Sequence, residues 1–99
     1  MAALMIINFD LTDAELMAKY REGAIPLWIK SGVAKVVAAS DATVDLAEGN
    51  SAGRETVVLE FESVEAAETA YNSAEYQAIL PSRLNATSPK IAMIVKTVG

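Results

Sequence analysis

The run Glu55–Phe61 carries the side chain best suited to chemistry. Strand alternation puts Thr56, Val58 and Glu60 on one face and Val57, Leu59 and Phe61 on the other. A carboxylate on an otherwise apolar face is drawn out of water, which raises its pKa and suits it to act as a general base or acid near neutral pH. Asn8 shares a face with Leu4 and Ile6 in an earlier apolar run, so Asn8 and Glu60 meet in one space if both faces turn away from the helices. In the ordinary alternative Glu60 sits near a strand end, reaches solvent or pairs with Arg54 or Arg83, and does nothing chemical.

The aromatic residues offer a second set. Tyr20 and Tyr71 lie on helical stripes and read first as core rings with their hydroxyls at the rim, with a catalytic phenol as the alternative. Trp28 follows Pro26 and can line a pocket mouth. Tyr76 and Arg83 are seven residues apart, two turns on one helical face, although Pro81 between them argues against a continuous helix. Other chemistries lack their residues. The chain has neither histidine nor cysteine, which removes the commonest general base, thiol nucleophiles and transition-metal sites. Asp41, Asp45 and Glu48 are oxygen donors, but their spacing does not match an EF-hand, and they read as a solvated acidic arm. No phosphate loop, nucleophile elbow or zinc-binding helix is present. Neither a metal nor a cofactor is expected.

These residues must be positioned by alternating strands and helices. Leu4–Phe9 reads as a first strand, and Thr12 with Glu15 has the spacing of a capping box that starts a helix. Leu16, Tyr20, Gly23 and Leu27 then form a stripe, Pro26 predicts a kink or break between Gly23 and Pro26, and Gly32 supplies the stop. Val33–Ala39 is a second strand, Ser40–Gly53 a polar arm, and Glu55–Phe61 the third strand. Ser63 caps a helix lined by Val64, Ala67, Ala70 and Tyr71, and Ser73 caps a short helix expected to stop before Pro81. Ile91–Val98 is the last strand.

This order predicts one α+β domain over residues 1–99, a ferredoxin-like βαββαβ fold with an antiparallel four-stranded sheet and its helices on one side. The first and last strands are apolar on both faces, through Leu4, Ile6, Met5 and Ile7 and through Ile91, Met93, Val95, Ala92 and Ile94. The helices cover one face only. A homodimer in which two sheets pack face to face covers the other.

Composition agrees with one compact domain. The chain has 99 residues, 53% of them hydrophobic, with 8 Lys+Arg against 13 Asp+Glu for a net charge of -5. With no basic cluster, nucleic acid and anionic membranes are poor partners. No apolar run reaches the roughly 20 residues that span a bilayer, and the opening apolar run has no basic residues before it. The absence of cysteine suits a reducing compartment, so a soluble cytoplasmic protein is expected.

The segments "VVLEFESVEAAETAYNSAEYQAILPSR", "KYREGAIPLWIKSGVAKVV" and "LAEGNSAGRETVVLEF" resemble the family known as domain of unknown function 1330, within the dimeric α+β barrel superfamily. The resemblance runs over nearly the whole chain and implies the ferredoxin-like fold and the sheet-to-sheet dimer, without a reaction. Where relatives commonly end the second strand with arginine, this chain has Ala38, Ala39 and Ser40, leaving Lys35 or Arg54 as alternative cations.

Three functions follow as expectations. One is a dimer that binds a small apolar or aromatic molecule between helices and sheet, using Asn8, Tyr20, Trp28, Arg54, Tyr71, Tyr76 or Arg83. Another is a cofactor-independent oxygenase or isomerase of the superfamily's kind, with Glu60 accepting a proton. The third is a structural or interaction role with no ligand. A pocket of roughly 300 Å³ or more, lined by Trp28, a tyrosine and Glu60, is the feature that supports binding.

Overall fold

The computed structural model describes residues 1–99. Strand β1 (Ala3–Leu11) is followed by helix α1 (Ala14–Ala24), a π-helical segment (Ile25–Lys30), strands β2 (Lys35–Ser40) and β3 (Glu55–Phe61), helices α2 (Val64–Asn72) and α3 (Ala74–Asn85), and strand β4 (Thr87–Lys96). The sheet has the order β2-β3-β1-β4 with every neighbouring pair antiparallel. This is the ferredoxin-like arrangement the sequence predicts. A thickness of 18 Å across the shortest axis leaves room for one sheet and one helical layer.

Alternation along β1 divides the sheet. Ala3, Met5, Ile7 and Phe9 are buried beneath the helices, and Met5 and Ile7 lie opposite Leu59 and Val57 of β3. The core they begin is completed by Met17, Trp28, Phe61, Ala67, Tyr76 and Leu80. On the far side Leu4, Ile6 and Asn8 lie between Glu60, Val58 and Thr56 of β3 and Val95, Met93 and Ile91 of β4. Ile91, Met93 and Val95 are exposed there, so one face of the sheet is apolar and uncovered in the single chain.

Several local expectations shift. The cap of α1 is Asp13, one residue after Thr12, and its Oδ1 accepts from Leu16 N at 3.0 Å. The amides of Thr12 and Asp13 both donate to the Ala86 carbonyl, which ties the start of α1 to the end of α3 and leaves Thr12 outside the helix. On α1 the buried positions are Met17 and Ala24, while Leu16 and Tyr20, and Leu27 of the π-helical segment, are only partly buried against the core. Gly23 instead marks the close approach of α1 to α3, where a Cβ would stand 3.1 Å from Ile79 Cγ2. The break foreseen at Pro26 takes the form of a switch from α- to π-helical turns after Ala24, and Gly32 ends the segment at φ +82°. Strand β2 starts two residues later than expected and is bulged between Val36 and Ala38. Ser63 and Ser73 cap α2 and α3 as predicted.

The largest difference lies at Pro81. Helix α3 does not stop there and continues to Asn85. Gln77 and Pro81 are both exposed, so water can satisfy the carbonyl that proline leaves without a donor. The last strand accordingly begins at Thr87, four residues ahead of the expected Ile91.

Candidate functional site

Continuity of α3 brings Tyr76 and Arg83 onto one buried face, at 0% and 5% exposure. Tyr76 is the centre of an aromatic cluster. Trp28 stacks on it from the π-helical segment at a centroid distance of 4.0 Å, Tyr20 meets it edge-on at 6.1 Å, and Tyr71 approaches at 5.6 Å. Phe61 completes the group with a T-shaped contact to Trp28 at 5.4 Å. Five elements, α1, the π-helical segment, β3, α2 and α3, thus contribute one ring each.

Next to the cluster, α1 and the π-helical segment stand off the sheet and leave a cavity of about 290 Å³. Ile7, Phe9 and Val57 form its floor, Met17, Ala24 and Trp28 its helical wall, and Ile25, Ile29, Val36 and Ala39 its remaining apolar rim. Tyr20, Arg21 and Arg83 are its polar components, and no carboxylate borders it. A second cavity of about 270 Å³ lies beyond Arg83, against Tyr71, Met5 and Ile94. Arg83 therefore separates two apolar spaces.

One buried polar atom of the main cavity, Arg83 Nε, lacks a partner. The Tyr20 and Tyr76 hydroxyls are 2.7 Å apart and bond to each other. Burial pushes the pKa of Tyr20 well above the ordinary phenol value, Tyr76 adds to the effect, and the nearby Arg83 guanidinium offsets part of it. Tyr20 is therefore a neutral phenol at physiological pH, and either hydroxyl can donate to the other. Arg83 Nε is buried with no hydrogen-bond partner, and the one ion pair of the chain, Lys90 with Asp10 at 3.9 Å, lies elsewhere. A guanidinium removed from water without a counter-ion costs several kcal/mol.

The other residues singled out in the sequence lie outside this cavity. Glu60 is half-buried on the opposite face of β3, beside a surface cleft of about 500 Å³ bordered by the exposed Ser31, Gly32, Lys35 and Glu62. The pocket sought for Trp28, a tyrosine and Glu60 together does not form, because alternation sends Glu60 away from Leu59 and Phe61. Asn8 is buried, and its amide is engaged throughout. Nδ2 donates to the carbonyls of Gly53 and Glu55 and to the Thr56 hydroxyl, and Oδ1 accepts from Gly53 N. Arg54 is exposed between the arm and β3, donating through Nε to the Asp41 carbonyl in the arm. Asp45, next in that arm, accepts from Ala47 N and Ala52 N, and these two bonds hold its carboxyl below the usual pKa.

Of the eight residues picked from the sequence, the structure brings Tyr20, Trp28, Tyr76 and Arg83 together, with Tyr71 behind Arg83. Sequence reasoning missed the apolar walls. Their signal was available in the i, i+4 pairs Ala24 with Trp28 and Ile25 with Ile29, which line the cavity side by side.

Residues 2–98 match the family described as a domain of unknown function, DUF1330. The chain belongs to this family. No curated protein matches it. Among solved structures it is similar to a protein of unknown function from Rhodopseudomonas palustris, with a TM-score of 0.77 and 18% identity over 99% of this chain and 83% of the other. It is also similar to a dimeric ferredoxin-like protein of unknown function from Thermobifida fusca, with a TM-score of 0.62 and 17% identity over 98% and 92%. A proposed antibiotic biosynthesis monooxygenase from Caulobacter crescentus has a TM-score of 0.60 and 12% identity over 99% and 91%. At these identities the likeness establishes the fold alone.

Proposed function

We propose that this member of the DUF1330 family is a cytoplasmic homodimer, packed through its sheet faces, that binds a small apolar or aromatic molecule between helices and sheet. The observation that carries the binding reading is the cavity of about 290 Å³ beside Trp28, whose walls are almost wholly apolar and whose polar groups converge at Tyr20 and Arg83. The uncovered row of Ile91, Met93 and Val95, flanked by Leu4, Ile6 and Val58, supports the dimer, as does the dimeric state of the Thermobifida fusca neighbour. An oxygenase or isomerase using Glu60 finds less support, since Glu60 stands on the other side of the sheet from the aromatic cavity.

A direct test follows small aromatic compounds by NMR on protein labelled at methionine methyls and the indole. Binding should move Met17 and Trp28 first. Ala39→Trp, placed at the exposed rim, should block entry and abolish those shifts without unfolding the protein. If no compound at millimolar concentration perturbs Met17 or Trp28, the cavity is not a binding site.

A further inference from the structure

The unpartnered charge at the base of the cavity specifies more than an apolar guest. Arg83 is 5% exposed, its Nε has no partner, and neither cavity that it borders contains an aspartate or glutamate. A buried cation is ordinarily accompanied by an anion, because the desolvation cost of one charge is recovered only through the other. Within this chain that anion does not exist. Sheet-to-sheet dimerisation cannot supply it, because Arg83 lies on the helical side.

We propose that the cavity binds small organic carboxylates, with the Arg83 guanidinium as counter-ion and the Tyr20–Tyr76 hydroxyl pair as the second donor. The proposal rests on the reading of the cavity as a ligand site and adds the ligand's charge and head group. The planar fork of a guanidinium matches a carboxylate in two parallel hydrogen bonds. The two phenol oxygens, 2.7 Å apart, share one of their two hydrogens, and the other is free to donate. Arg21 at the rim adds positive potential along the way in. The rest of the lining is apolar, which suits a flat ring or short hydrocarbon body. Phosphate esters fit less well, since they call for several converging donors and the walls provide none beyond these.

The test compares a carboxylate with its neutral isostere, 2-naphthoate and 2-naphthamide, by NMR titration of the full chain. In the wild type naphthoate should bind about tenfold tighter or more, with shifts at Met17 and Trp28, and Arg83→Met should remove that preference while amide binding persists. Equal affinities in the wild type overturn the carboxylate proposal and leave the cavity reading standing. If neither compound moves Met17 or Trp28, both fall. A preference that survives in Arg83→Met, or naphthoate shifts centred away from the cavity, removes Arg83 from the role. Should Arg83→Met fail to fold, Arg83→Lys decides instead: keeping the charge but losing the fork, it should cut the preference several-fold, and an undiminished preference overturns the proposal.

Discussion

The indole of Trp28 lies almost parallel to the phenol of Tyr76, at an interplanar angle of 13° and a centroid distance of 4.0 Å. The two residues come from different segments, the π-helical segment and α3, so this one stack couples the cavity wall to the helix that carries Arg83.

Removing either ring should therefore affect both stability and site. Trp28→Ala or Tyr76→Ala is expected to cost about 3–5 kcal/mol, the usual range for a large aromatic deleted from a core. Tyr76→Phe keeps the stack and loses only the bond to Tyr20, at about 0.5–1.5 kcal/mol. Urea denaturation of the three variants gives the comparison, and a loss under about 1 kcal/mol in either alanine variant contradicts a central role for the stack.

Asn8 fastens the polar arm to the sheet. Asn8→Leu leaves the buried Gly53 amide without its acceptor, at an expected cost of about 1–3 kcal/mol. Hydrogen exchange should quicken at Gly53 while amides shared by β1 and β4 keep their protection. Uniform quickening throughout the sheet would show instead that Asn8 supports the whole fold.

Tyr20 makes stability pH-dependent at the alkaline end. Its folded-state pKa is raised, chiefly by burial, so the protonated form is favoured in the fold. Above the ordinary phenol value near 10, the unfolded chain releases a proton that the folded chain keeps. The contribution is complete below about pH 10 and is lost as pH rises beyond it, by up to about 1.4 kcal/mol per pH unit. Unfolding free energies of wild type and Tyr20→Phe should converge over that range, and parallel pH profiles would be the contrary result.

A charge on the bare sheet face should separate the dimer. Met93 is exposed on that face and lies opposite Ile6, so in the proposed dimer Met93→Asp places a carboxylate between the two sheets. Light scattering at micromolar concentration should give a dimer for the wild type and a monomer for the variant. A monomeric wild type ends the sheet-packing proposal.

What could be read in the sequence follows from the range of the interactions involved. The order of strands and helices along the chain, both serine caps and the doubly apolar strands are encoded within a few residues, through alternation and capping, and the structure has them. The site was only half legible. Alternation grouped Glu60 with Thr56 and Val58, opposite Leu59 and Phe61, but which of the two faces turns toward the helices is decided by packing that no local pattern carries. The meeting of Tyr76 with Arg83 was hidden by Pro81, whose missing donor matters less because Gln77 and Pro81 face solvent. Asn8 binds Gly53, 45 residues away, and no local pattern reports such a contact.

The π-helical segment Ile25–Lys30 has a further consequence, for how the cavity can change. Its wider turns place Ile25, Trp28 and Ile29 along the cavity with a spacing that regular helical turns would rotate. Deleting one residue there would tighten the coil and swing Trp28 off Tyr76, whereas substitutions leave the coil intact. Chain length over this stretch, as much as side-chain identity, thus governs the shape of the cavity, and relatives differing by a single insertion or deletion here should differ in cavity shape.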